Sequence, residues 1–483
     1  MGSLIVKYRS LSPAARASFW YAICSILQKC IGLIVVPIYT RLMSPDEYGS
    51  YSIFQSWYVL AAIVVSLGLS NYVFQNGMTK YADDRAGFSA SMLGLSTASA
   101  LVWVVLFLAA PGFWCSVLGL PAPFVFILLL RCIITPAYEF WSARLRYEFR
   151  YRSVVVLTLA LTVLTPIVSI PVIMMAEDRL AAALWCQIVV MLIVYAVPLV
   201  SILRKSSKFY DRKYWGFALS FNLPLIPHFL SSTLLEQADR LMIGFFCGDA
   251  QAAIYSVAYS AALTMQLVCT SINQSLIPYT YQKMAAGEGG SLRLPTRILH
   301  AAVGCCCLAL SICAPEIIGF LAPLEYQEGI YVIPPVAASV MLMFLFNLFA
   351  TIEYYFEETR AVMWASLTGA ILNIALNYIL LPQFGFVAAG YTTLACYAFF
   401  CIGHFILMRR ALKIHGMQED VYDVRGLCLL TVAFTCLILG IGLLYPFPIV
   451  RYGLIVAACI MGLAFRRRIM EQIGRISSIR RKG

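Results

Sequence analysis

Fourteen apolar runs follow one another along the chain, beginning near residues 18, 48, 87, 119, 153, 181, 215, 250, 296, 329, 361, 387, 425 and 448. A helix rising about 1.5 Å per residue needs about 20 apolar residues to cross about 30 Å of hydrocarbon, so each run is a candidate membrane span. No loop between them is long enough to hold a soluble catalytic domain. Composition agrees: 12% of residues are charged and 61% are hydrophobic, against roughly 25% charged in ordinary soluble domains. The expected fold class is an all-α integral membrane protein with about 14 transmembrane helices.

An even number of spans places both termini on one side. Of the 35 Lys and Arg residues, 29 fall in the tails and loops of that side, three (Arg41, Arg179 and Arg451) on the other, and three (Lys29, Arg131 and Arg240) within spans. Basic residues are retained on the cytoplasmic face. The sequence therefore predicts a multi-pass membrane protein with both termini cytoplasmic. The same bias explains the net charge of +12 without a nucleic acid. Clusters such as Arg466-Arg467-Arg468 and Arg480-Arg481-Lys482 read as topology anchors touching anionic lipid headgroups. The aromatic and basic stretch YEFWSARLRYEFRYR (138–152) reads as an interfacial belt. Sixteen cysteines sit nearly all within spans and include no CxxC pair, so neither a disulfide framework nor a metal site is expected. The N-terminus lacks a short apolar region with a small-residue cleavage site, and the first span is expected to stay in place as a helix.

An internal repeat organises the spans. The outer turn SPDEYGSYS (44–52) returns 204 residues later as GDAQAAIYS (248–256), and Arg152 lies under Arg360 at an offset of 208. A repeat of six helices keeps its orientation, so the copies are related by an axis along the membrane normal. The expected domains are an N-terminal six-helix lobe (1–210), a C-terminal six-helix lobe (211–412), and an extra two-helix hairpin with a basic cytoplasmic tail (413–483). The two parallel lobes are expected to face a central cavity.

The chain has no GxxxxGK[ST], HExxH or GxSxG pattern, so it offers no nucleotide-cradling loop. Neither catalytic residues nor a cofactor is expected, and the reading is a secondary transporter rather than an enzyme. What remains is polar chemistry at membrane depth, where an ionised side chain costs about 2.5–3.5 kcal/mol at a helix centre and should face a wet cavity. Lys29 and Arg131 are cations that could hold an anionic headgroup such as a pyrophosphate, one as a compact charge and the other as a planar fork; either could instead snorkel or meet a local carbonyl. Arg240 shares a helix face with Glu236 at i,i+4, where an ion pair is the simplest arrangement. With Asn222, Gln266 and Asn273 these cations form the candidate cargo-binding set. Asp239, Glu236 and His228 form the candidate ion-coupling set, since a partly desolvated carboxylate or an imidazole can exchange a proton near neutrality. Asn373 and Asn377, at i,i+4, read as helix glue.

TRLMSPDEYGSYS, NLPLIPHFLSSTLLEQADRLMIG and LNIALNYILLPQFGFVAAGYTTL resemble, in that order, motifs of the polysaccharide transporter family. This is the Wzx-type oligosaccharide flippase group of the multidrug/oligosaccharidyl-lipid/polysaccharide superfamily, and the resemblance covers about residues 10–410. It implies alternating-access transfer of an undecaprenyl-pyrophosphate-linked oligosaccharide from the inner to the outer leaflet of a bacterial cytoplasmic membrane, driven by a proton or sodium gradient or by the membrane potential. The cargo would be an O-antigen, capsule or exopolysaccharide repeat unit. The implied partners are that cargo, the coupling ion, membrane lipids and other polysaccharide assembly proteins. The final hairpin is similar in count to the two extra helices of lipid II flippases, where they line a lipid groove. Two rivals remain: a drug or cation antiporter of the same superfamily, which usually carries a carboxylate in its first lobe, and a membrane glycan polymerase or ligase, which would need a large outward loop.

Overall fold

The computed structural model describes residues 12–70, 72–417 and 421–464; the basic clusters of the tail lie outside them. Every regular element among the described residues is a helix. In chain order the first unit runs α1 (Pro13–Leu42), α2 (Pro45–Val65), α3 (Tyr72–Lys80), α4 (Arg85–Ala109), α5 (Pro111–Leu118), α6 (Ala122–Tyr147), α7 (Tyr151–Met175), α8 (Arg179–Leu203), α9 (Arg212–Asn222) and α10 (Ile226–Cys247). α11 (Asp249–Ala262) is followed by α12 (Thr264–Ala285), α13 (Arg293–Ile312), α14 (Ala314–Leu321), α15 (Ile333–Tyr355), α16 (Thr359–Phe384), α17 (Val387–Ile414), α18 (Val424–Ile441) and α19 (Pro448–Ala464). Two compact units divide within α11, at Ala253/Ile254.

Twelve segments among the described residues are long and apolar enough to cross a membrane. The remaining two of the fourteen expected positions are helical as well. α2 carries Asp46 and Glu47 in its first turn, and α19 is 17 residues long as described. Two spans are broken. Pro224 and Pro227 remove backbone donors, and a 3₁₀ turn at Leu223–Leu225 separates α9 from α10. A second break at Leu263 separates α11 from α12.

Helix starts follow from their caps. Ser44 and Glu47 form a reciprocal capping box at α2, with Ser44 Oγ accepting from the Glu47 amide at 3.3 Å and Glu47 Oε2 from the Ser44 amide at 2.7 Å. Asp178, Asp211 and Asp423 cap α8, α9 and α18. Such a cap is worth about 1 kcal/mol.

In the first unit α2 lies along α10, α6 and α8. The approach of α2 to the start of α11 depends on Gly49: a Cβ there would lie 1.8 Å from the Asp249 carbonyl oxygen. Ser50 Oγ donates to Asp249 Oδ2 at the same place. The two copies of the repeated turn are thus in direct contact. At the other end of this unit an aromatic core forms around Phe74, Phe88 and Phe140, with Phe74 and Phe140 centroids 5.1 Å apart. The first turn of α9 docks on this core, Tyr214 Oη donating to Asp84 Oδ2 at 2.9 Å and Trp215 Nε1 to the Ser91 carbonyl at 3.1 Å. Lys208 pairs with Asp211 at 2.8 Å, which holds the Asp211 carboxyl below its ordinary range and raises the lysine.

The second unit is built around α15, whose sequence IPPVAASVMLMFLFNLF is apolar on every face; it is enclosed by α13, α17 and α18, as an all-round apolar helix must be. The final hairpin is fastened to this unit at one end. Arg451 forks onto Glu316 and also donates to the Ile312 carbonyl at 2.7 Å, while Tyr452 Oη donates to Glu316 at 2.7 Å. Burial opposes ionisation of Glu316, but the hydrogen bonds from Arg451 and Tyr452 outweigh it and hold the carboxyl below its usual range.

Candidate functional site

Arg131 sits mid-way along α6, between α2 and α8. Its Nη1 donates to Gln55 Oε1 at 2.7 Å and to Gln187 Oε1 at 3.3 Å, and Gln55 Nε2 donates to the same Gln187 oxygen at 3.2 Å. The guanidinium lies 3.5 Å from the centroid of the Tyr58 ring, and Tyr58 is fixed by a 3.0 Å bond from its hydroxyl to Thr135 Oγ1. These partners are neutral, so the cradle fixes the group while leaving its charge in place. Nε is buried with no acceptor. The cradle therefore presents a preorganised cation at membrane depth, where an approaching anion is worth more than in water.

Lys29 is exposed on α1, one residue beyond Gln28, whose amide reaches Thr162 Oγ1 of α7 at 3.4 Å. That contact and the 2.6 Å bond between Tyr39 and Ser169 hold α1 to α7, leaving Lys29 off the seam. Glu236 lies within electrostatic reach of both Arg240 and Lys29, so α1 and α10 bring these three charges into one neighbourhood. Arg240 Nη1 donates to Gln237 Oε1 at 2.9 Å, so its side chain also engages an amide. Asp239 is 2% exposed and has polar contacts of its own.

The break between α9 and α10 places two further candidates. Asn222 is buried, its Nδ2 donating to the Leu67 carbonyl; Leu67 and Gly68 both have left-handed backbone (φ 56° and 58°), and the amide ties this turn down. Its Oδ1 is buried without a partner. His228, in the first turn of α10, is half-buried against Phe229. In the second unit Gln266 Nε2 reaches Met343 Sδ at 3.8 Å, and Asn273 is half-buried on α12. Asn373 and Asn377 are wholly buried, with Thr392 Oγ1 donating to Asn377 Oδ1 at 2.5 Å and Asn377 Nδ2 to Asn373 Oδ1 at 3.3 Å; the chain of amides joins α16 to α17.

Three features escaped sequence reasoning. The glutamines that hold Arg131 are 132 positions apart. Glu353 of α15 and His404 of α17 form a buried pair, Nδ1 to Oε1 at 2.9 Å; each stands alone in an apolar run, which was a readable signal. An apolar cavity of about 280 Å³ lies in the first unit, walled by Trp57, Trp103, Phe107, Trp114, Leu230 and Leu234 among others.

Residues 14–284 match the family model described as polysaccharide biosynthesis protein. Two proteins of Haemophilus influenzae strain Rd, the "Lsg locus putative protein 1" and an "uncharacterized membrane protein", are each 24% identical over 279 and 280 residues, 55% and 56% of this chain. The matches span 65% of the length of each relative. Among solved structures, the "Lipid II flippase MurJ, inward closed conformation" aligns with a TM-score of 0.66 at 12% identity, covering 93% of this chain and 99% of that one. An inward-facing multidrug MATE transporter of the MOP superfamily gives 0.61 at 12% identity over 81% and 96%. A MOP superfamily transporter from Pyrococcus furiosus Vc1, described as having reverse polarity of its binding pocket, gives 0.57 at 11% over 86% and 99%. The fold is that of MOP superfamily transporters, and with more than half of its length matched, this chain belongs to the polysaccharide biosynthesis protein family.

Proposed function

We propose that the chain is a flippase moving an undecaprenyl-pyrophosphate-linked oligosaccharide from the inner to the outer leaflet of the bacterial cytoplasmic membrane. The proposed cycle is alternating access of two six-helix lobes, 1–210 and 211–412, with both termini cytoplasmic. The carrying observation is Arg131, a membrane-depth guanidinium held by two glutamines and a tyrosine ring. Neutral partners leave its charge available to a diphosphate, whereas a cationic drug would be repelled; this favours an anionic cargo over the antiporter reading. Lys29 and Arg240 add positive charge around Glu236, and Gln266 and Asn273 supply amides for sugar hydroxyls, whereas Asn222, buried with its amide on the Leu67 carbonyl, holds its turn. Asp239, with Glu236 and His228, is assigned to coupling with a proton or sodium gradient. The apolar cavity of about 280 Å³ is of a kind that suits part of a prenyl chain.

The test is mass spectrometry of polyprenyl lipids from cells depleted of this chain, with leaflet assigned by an impermeant glycan-binding probe. The expected result is one diphosphate-linked oligosaccharide accumulating on the cytoplasmic face, rescued by the native chain and not by Lys29→Ala at equal membrane abundance. An unchanged lipid pool with altered sensitivity to cationic drugs would replace this reading with the antiporter.

A further inference from the structure

Glu353 and His404 form a buried ionisable pair in the second unit that the cycle proposed above does not use. Glu353 is wholly buried on α15, and His404 is 2% exposed on α17. The imidazole Nδ1 lies 2.9 Å from one carboxylate oxygen and 3.2 Å from the other. Its ring stacks on Phe346 and Phe400 at centroid distances of 5.3 Å and 6.3 Å, aromatic faces that favour a cation. Where this unit only joins two helices it uses amides, as Asn373 and Asn377 do between α16 and α17. An ionisable pair costs more at membrane depth, and what it adds is a proton that can be exchanged. The pair is neutral overall when it holds one proton, on either residue. Losing that proton leaves a negative charge among apolar helices and gaining a second leaves a positive one, both costly in hydrocarbon. The two residues therefore titrate as a unit. Other titratable groups also face α15. Tyr281 of α12 packs on Tyr355, and Cys269 of α12, Cys307 of α13 and Cys401 of α17 share its core. His300 of α13 stacks on Phe344 with its Nε2 on Thr431 Oγ1 at 2.7 Å. Tyr397 of α17 stacks on Phe346, and Tyr422, just before α18, donates to the Leu348 carbonyl at 3.1 Å. Glu357 and Glu358 follow the end of α15, and Arg360 lies among the side chains outside those described.

From this geometry we infer that Glu353 and His404 form a proton-binding site of the second unit, which takes one proton from water and returns it to water. The site is distinct from the coupling set of α10 and does not depend on the identity of the cargo. Glu353 lies two residues before the end of α15, so opening of that last turn is enough to wet it.

The test counts protons taken up by the full-length chain in detergent, read with a pH-indicator dye as the solution is stepped from about pH 8 to about pH 5. E353Q leaves a buried imidazole without a counter-charge, which stays neutral, and H404Q leaves a buried carboxyl without a cation, which keeps its proton. Each single variant is therefore expected to take up about one proton per chain fewer than the native protein, and E353Q/H404Q the same one fewer, because a coupled pair loses its exchange as a unit. The double variant retains two groups that hydrogen-bond to each other, and with the swapped E353H/H404E, expected to keep native uptake, it guards against loss of fold in the single variants. Native uptake in a folded E353Q/H404Q overturns the site. A deficit in the double variant equal to the sum of two single deficits also overturns it, since the groups would then titrate independently.

Discussion

Asp423 shows how much a single side chain does at the rim of the second unit. It caps α18 through the Gly426 amide and takes Arg297 on its other oxygen, and these bonds, the amide first, hold its carboxyl below the ordinary value of about 3.9. A depressed carboxyl contributes stability that is present above the unfolded value and lost as pH falls through the folded one. Asp423→Asn keeps the cap and loses the ion pair, which is part-exposed and so worth a few tenths of a kcal/mol. A small melting-temperature deficit is expected near pH 7, shrinking below about pH 4; a deficit that stays constant into that acid range would mean that charge plays no part. Arg131 makes the complementary point. Its isolation in an apolar run was visible in the sequence, but the glutamines that hold it were not, because they come from α2 and α8 and carry no local pattern.

At the scale of elements, the repeat read from two nine-residue turns has a structural counterpart. Both copies start helices, α2 and α11, and the two starts touch through Gly49 and Asp249. Because the atoms a Cβ would meet there are backbone, no rotamer change can absorb the clash. Gly49→Val is expected to cost about 1–3 kcal/mol, as overpacking of a close contact does, read as a lowered melting temperature in detergent, with Gly49→Ala intermediate. A melting temperature equal to that of the native chain would show that α2 and the Asp249 turn separate freely. The broken spans divide along the same line of legibility. NLPLIP carries two prolines at its break, whereas the break at Leu263 has no proline to mark it. The clamp of Arg451 on Glu316 was equally silent: Arg451 counted only as an outward basic residue until α14 and α19 came together.

Across the whole molecule, function depends on whether a charge on one helix can bias a cycle involving many. Asp239, buried near the middle of α10, is the proposed coupling group. Asp239→Asn is expected to keep cargo binding while transport loses its response to an imposed gradient; reconstituted vesicles at several pH gradients measure this, and an undiminished response would remove Asp239 from the role. The division of the chain raises a matter of packing. The expected lobes part at the basic linker 204–213 and the compact units at Ala253/Ile254, with α10 lying along α2 in the first unit. Apolar run length by itself determined the membrane class and the helical architecture, since spanning hydrocarbon leaves few other solutions, and the repeat determined which turns correspond. The tertiary structure alone decided which polar groups meet: Gln55 and Gln187 on Arg131, and Glu353 on His404. Such contacts join residues far apart in sequence, and inside an apolar helix nothing local marks which face a polar side chain will present.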